Sequence, residues 1–179
     1  MISQGNDCAS AAIMQPIKDR TGKPVPGLMG DVMPERDQAT HDALVGKTLM
    51  AMPFARALSM QLADIGGGAA TLTMPYAADL IGDPDTGVVH GGAVSALLDT
   101  CAGAAVLCHP GVKTATATLN LRIDYMRPAA AGQTITAQAT CYHVTRTVAF
   151  VRATAHDEDS ERPVAMASGA FTIQQTAMG

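Results

Sequence analysis

Tryptophan is absent from this chain, and three tyrosines and three phenylalanines make up its whole aromatic complement, 3% of 179 residues. A core must therefore be built from small and flexible side chains, since 47% of the residues are hydrophobic and alanine, methionine and glycine are plentiful. No basic run or basic-and-aromatic face occurs, and net charge is −4 with a pI near 5.6. Nucleic acid is thereby an unfavoured partner. The four cysteines, Cys8, Cys101, Cys108 and Cys141, form no CxxC pair and no Cys/His spacing of the zinc type. That reads as a reduced, cytoplasmic protein with no metal and no redox cofactor. Residues 1–20 carry Asp7 and lack a basic, then apolar, leader, so no secretory signal is expected. The one run apolar enough to suggest a membrane span, Gly91 to Cys108, is short for that role and contains Asp99 and three glycines.

That same run carries the main chemical signal. Burying an ionised carboxylate without partners is costly, so Asp99, in the middle of it, has to be either a bonded structural group or a reacting one. Gly91 to Cys108 reads as a helix, rich in alanine and leucine and stopped by Pro110-Gly111. At about 100° per residue, Asp99 shares a face with Gly92, Ser95, Ala96, Ala102, Gly103 and Val106, whereas Val94, Leu97, Cys101, Ala104, Ala105 and Cys108 form the apolar stripe. The stripe is expected to pack on a sheet, with both cysteines as small core residues. The small-residue side leaves room for a ligand or another backbone beside Asp99.

His90 precedes Asp99 by nine positions, roughly 13 Å of rise and half a turn on an ideal helix. The two cannot hydrogen-bond within one chain. If both serve one site, the simplest geometry brings His90 and the first helical N–H groups of one subunit to Asp99 of another across a two-fold axis.

Around this helix the chain reads as one domain over residues 38–179, after an irregular arm over residues 1–37. A short helix is expected from Gln38 to Met50, with Thr40 as its cap and Met52-Pro53 as its end. Leu58 to Ile65 and Ala69 to Pro75 form a hairpin about Gly66-Gly67-Gly68, and a turn-rich loop, residues 81–87, leads to His90. After the helix, Thr114 to Met126 alternates cleanly, with Thr114, Thr116, Thr118, Asn120, Arg122 and Asp124 on one face. Thr134 to His143, Thr147 to His156 and Pro163 to Ile173 follow as a meander. The order of two strands, one buried helix and four strands leaves no room for helices between the later strands, which indicates an α+β fold with one antiparallel sheet curled around one helix.

Three groups of residues, Gly87-Val88-Val89-His90-Gly91-Gly92, then Leu98-Asp99, then Asp124-Tyr125-Met126-Arg127-Pro128, resemble the hot-dog acyl-CoA thioesterases, and most of all their phenylacetyl-CoA thioesterase type. The likeness spans about Pro53 to Ile173. It implies a hot-dog fold, a six-stranded antiparallel sheet wrapped around a long central helix, whose subunits pair as a dimer or a dimer of dimers with two sites at their interface. It also implies hydrolysis of an aromatic or short-to-medium acyl-CoA. The residue matching Asp99 is then nucleophile or general base, and the Gly91 N–H polarises the thioester oxygen, as helix N-terminal amides are suited to do. His90 orients the substrate, Gly92 helps bind it at the helix start, and Thr118 holds Asp99 or the attacking water. The family usually has asparagine where this chain has Asp83, an acceptor only when ionised, which bears on its part in positioning the nucleophile.

From Lys113 to Arg152 five basic residues face a single acid, Asp124, a balance that suits a phosphorylated ligand. Arg127 and Arg146 are the candidates for the coenzyme A phosphates. Two other activities fit the same motif: an acyl-CoA binder without chemistry, and a hot-dog dehydratase or hydratase, which calls for a second His and acid pair.

Overall fold

Alternation between inward and outward residues is what builds the sheet. A computed structural model describes residues 35–112 and 115–173, with side chains from Gln38 onward. Among the described residues two helices come first, α1 (Glu35–Ala51) and the short α2 (Pro53–Ala57), then the hairpin β1 (Gln61–Gly66) and β2 (Ala69–Met74). A small ribbon, β3 (Ile81–Asp83) and β4 (Val88–Val89), leads into α3 (Gly91–Leu107). β5 (Thr116–Tyr125) follows, and the meander β6 (Ile135–Val144), β7 (Val148–His156) and β8 (Ala165–Ile173) closes the described residues. The six long strands form one antiparallel sheet in the order β1-β2-β6-β7-β8-β5, with α3 packed on it. This is the expected hot-dog architecture.

The shortage of aromatics is explained by the floor under α3. Ala137 pairs with Ala155, Ala139 with Ala153, Ala153 with Ala167 and Ala155 with Ala165, and all of these face inward and are buried. Methyl groups let the helix backbone approach the sheet closely. Leu97, Leu98, Cys101, Ala104 and Ala105 of α3 are fully buried against that floor. Each of the two leucines contributes about 2 kcal/mol by leaving water. Cys101 Sγ donates to the carbonyls of Ala70 and Ala137, and burial pushes its thiol up to about 12. It is a packing residue, as expected.

Several boundaries differ from those expected. Residues 1–34 of the N-terminal arm lie outside the described residues, but its last three positions belong to α1. Thr40 is therefore inside that helix rather than at its cap, because Glu35 and Arg36 are good helix formers and carry the helix further back. Leu58 caps α2, with Ser59 at φ 52°, so β1 starts only at Gln61. Pro53 both ends α1 and opens α2, where its missing N–H costs nothing. The loop over residues 81–87 is partly a ribbon, since Ile81 pairs with Val89. On α3, Ala102 and Val106 are buried, which narrows the open face to Gly92, Ser95, Ala96, Asp99 and Gly103. The Gly67-Gly68 turn has φ of +60° and +85°, as a two-residue type I′ hairpin requires. Gly68 then bonds the Cys108 carbonyl and accepts from Cys141 N–H, fastening the hairpin to the end of α3.

Candidate active site

At the start of α3, His90 is the N-cap residue: its extended backbone (φ −60°, ψ 132°) leads into the helix, and Nδ1 accepts from the Gly92 N–H at 2.9 Å. With Nδ1 an acceptor, the ring proton sits on Nε2, which leaves an exposed donor. Gly92 has to be glycine here, because a Cβ would stand 2.8 Å from His90 Nδ1. Gly91 opens the helix, so its N–H has no intrahelical acceptor. Beside it lies Tyr125, whose hydroxyl donates to the Gly91 carbonyl at 2.8 Å and stands 2.5 Å from Ser95 Oγ. Gly91, Tyr125, Val88, Met126, Arg127 and Val164 border a cleft of about 390 Å³.

The second centre is Asp99, half-buried two turns along. Thr118 Oγ1 donates to Asp99 Oδ1 at 2.8 Å. This contact depends on a local irregularity in β5. Thr118 pairs with Phe171 and Asn120 with the next residue of β8, Ala170, so Leu119 is an extra residue, a β-bulge. Gly169 makes room for it, since a Cβ there would run into Leu121 and the Asn120 carbonyl. The bulge shifts the alternation by one. Thr118 before it and Tyr125 after it both face α3, although seven positions in a regular strand would put them on opposite faces. A cleft of about 420 Å³ opens at Asp99 between α3, β5 and the end of α1.

The structure brings Asp99 and Thr118 together, and His90, Gly91 and Gly92 together, but not the first group with the second. The other candidates fare differently. Asp83 lies in the β3–β4 turn, where Oδ1 accepts from Asp85 N–H and Oδ2 from Thr86 Oγ1 at 2.6 Å. Those bonds, the threonine hydroxyl foremost, hold its carboxyl below the usual range, and they point both oxygens into the turn rather than at Asp99. Arg127 forms a two-pronged ion pair with Asp157 at 2.6 Å and also donates to the Arg162 carbonyl. Asp157 is buried at 6% exposure, and Arg127, with the Ala130 and Asp159 N–H groups, holds its carboxyl far below the ordinary range. Arg127 thus belongs to an internal pair and not to a free cationic face. Arg146 is exposed in the β6–β7 turn. It sits at the Thr116 and Ile173 end of the sheet, whereas Arg127 follows Tyr125 at the other, so one chain does not gather both around one ligand. The basic excess is also spent locally in part, with Arg122 on Asp124 and Arg152 over the Tyr142 ring.

Sequence reasoning placed Tyr125 on the buried apolar face and gave it no function. Its position at the strand end, facing the glycine-rich helix start, was the available signal. Among the described residues no group of three or more His, Cys, Asp or Glu could hold a metal, and no helix is long and apolar enough to cross a membrane.

Comparison with known proteins agrees with this geometry. A family model described as the thioesterase superfamily matches residues 86–164. The medium/long-chain acyl-CoA thioesterase YigI of Escherichia coli is 28% identical over 121 residues, a stretch covering 60% of this chain and 77% of that protein. Among solved structures, a structural-genomics protein of Pseudomonas aeruginosa is 36% identical over 73% of this chain and 96% of its own, with a TM-score of 0.65. The PaaI protein from the E. coli phenylacetic acid degradation operon is 25% identical over 75% of this chain and 95% of its own, also at 0.65. With the matching family model, a 36% identical relative covered over nearly its whole length, and the observed sheet and central helix, the chain belongs to the thioesterase superfamily and has its hot-dog fold.

Proposed function

We propose that the chain hydrolyses the thioester of an acyl-CoA, aromatic or short-to-medium in its acyl group, at a site shared between two subunits. The observation that carries this reading is the Thr118–Asp99 hydrogen bond at the mouth of an apolar cleft. A carboxylate held by one donor on one oxygen keeps the other oxygen for a water or a thioester carbon. The Gly91 amide supplies what Asp99 lacks, a donor aimed at developing oxyanion charge. Since the two lie roughly 12 Å apart along one helix, the Gly91 cleft of one protomer is joined to the Asp99 cleft of its partner.

The β5 edge favours such pairing. Among the described residues β5 hydrogen-bonds only to β8, and it exposes Leu119 and Tyr125 at 55% and 50%. An apolar open edge of that kind is a template for another chain. A dimer, or a dimer of dimers, follows.

As general base, Asp99 takes a proton from water, the hydroxide adds to the thioester carbon, and the oxygen's charge is received by the Gly91 N–H. Collapse of the adduct expels the coenzyme A thiolate, which takes up a proton, leaving the free acid. As nucleophile, Asp99 forms an anhydride that water then opens. Both routes need the same carboxylate.

Thiol release from a panel of aromatic and aliphatic acyl-CoA esters, for wild type and Asp99→Asn, tests the reading. Turnover is expected to fall about a thousandfold with dimerisation by sedimentation unchanged. A wild type that binds acyl-CoA but never releases thiol is a binding module, and the proposal falls. Dehydration or hydration of an enoyl or hydroxyacyl ester in place of thiol release overturns it in favour of a hydratase.

A further inference from the structure

The Asp99 cleft runs in one direction. On the N-terminal side of the carboxylate, Ser95 is tied to Tyr125 and to the Gly91 carbonyl. On the C-terminal side the next residue on the same face is Gly103, which has no side chain, and one turn further is Leu107. Both line the cleft with Leu49 and Met52 of α1 and its end on one side and Phe171 of β8 beneath. Phe171 and Leu49 are 2% and 8% exposed, while Met52 is 47% exposed and forms the rim. At the far end His41 Nε2 donates to the Leu107 carbonyl at 2.9 Å, so α1 and α3 are joined where the groove ends.

From these positions we infer that the groove over Gly103 receives the acyl chain, that its occupant is a linear medium-length acyl group, and that Gly103 and Met52 set the accepted length. The inference rests on the acyl-CoA hydrolysis proposed above. Asp99 to Leu107 is eight residues, roughly 12 Å of helix. An extended chain advances about 1.2 Å per bond, as the polypeptide backbone does over its three bonds per residue, so roughly ten carbons reach the end. The walls are mostly apolar, Thr116 among them spending its hydroxyl on the Thr172 carbonyl, and Asp99, Thr100 and Thr118 stand at the end where the thioester is cleaved. Gly103 is the narrowest control. A Cβ there stands 3.8 Å from the Phe171 ring, an ordinary contact, so a methyl group fits but anything longer fills the space the chain needs. Met52 is the flexible rim, able to move for chains of different bulk.

The experiment is thiol release from saturated acyl-CoA esters of increasing length by the full chain, compared between wild type, Gly103→Val and Met52→Glu. Wild-type kcat/KM is expected to rise with length and to peak near ten carbons, as estimated from the groove. Gly103→Val is expected to lower the ratio of decanoyl to butyryl kcat/KM roughly tenfold or more, chiefly through KM, the scale on which one or two methylenes are discriminated. Met52→Glu changes an exposed residue, so folding is retained, and the acid beside the chain lowers the same ratio. Ratios that stay at the wild-type value in folded, active variants overturn the groove assignment while thioester hydrolysis stands. A wild type that prefers acetyl or arylacetyl esters overturns it too. Absence of thiol release at every length removes the reading beneath it, and is told apart by that from the first result.

Discussion

The two faces of α3 follow opposite rules. One face rests on alanines from β6, β7 and β8, with Leu97, Leu98 and Cys101 fully buried and the thiol bonded to sheet carbonyls. The other, from Gly92 through Ser95 and Asp99 to Gly103, is half-open and keeps a carboxylate and small residues. The first face is satisfied within the chain. The second leaves a helix-start amide, a carboxylate and an apolar groove with work still to do. Stability is therefore concentrated on one side of a single helix and the proposed chemistry on the other.

Substitutions on each side should separate the two properties. Leu97→Ala, on the buried face, is expected to cost about 3 kcal/mol of stability through the cavity it leaves, read as a lower denaturation midpoint. Activity per folded molecule should be kept; its loss would show that the two faces are coupled.

The Arg127–Asp157 pair sharpens the comparison from outside the helix. Asp157→Asn leaves the guanidinium without its carboxylate at a buried site, and about 3 kcal/mol should be lost at neutral pH. Asp157's carboxyl is depressed in the fold, so its contribution is complete above the ordinary Asp range and disappears as pH falls through the depressed value. The variant should accordingly show a flatter acid limb in a pH–stability series. A variant as acid-labile as wild type would place that sensitivity elsewhere.

The smallest effect belongs to the open face. Thr118→Val removes the donor to Asp99 at 2.8 Å while keeping the shape, and kcat/KM should fall about tenfold, as for one hydrogen bond to a charged group. Thr118→Ser should recover most of it, and the melting temperature should move little. A loss that serine does not rescue would mean that the methyl group, and not the hydroxyl, matters there.

Much of this was legible in the chain. Gly91 to Leu107 is helical because alanine and leucine favour it and Pro110-Gly111 ends it, and strict alternation marked the four later strands to within two residues at each described end. The β5 bulge was not legible. Leu119 continues the alternation perfectly, and only the room made by Gly169 on a strand some fifty residues away decides that it is the extra residue. Hence the contact of Thr118 with Asp99 was legible and that of Tyr125 with the helix start was not: the same period cannot put both on one face. Arg127 misled for a similar reason, because its partner Asp157 lies thirty residues on, beyond any local count of charge.

What the sequence by itself determined is therefore periodic or local: the α+β order, the buried helix, the hairpin about Gly66-Gly67-Gly68, and the isolation of Asp99 from His90 by nine helical positions. Those follow from backbone geometry and nearest neighbours alone. Which oxygen of Asp99 is held, which way Tyr125 turns, that Asp83 is bound up in its own turn and that Gly103 floors a groove were decided by the tertiary structure. Each depends on contacts between distant segments, and their register is set by packing, to which a single chain read from end to end gives no key.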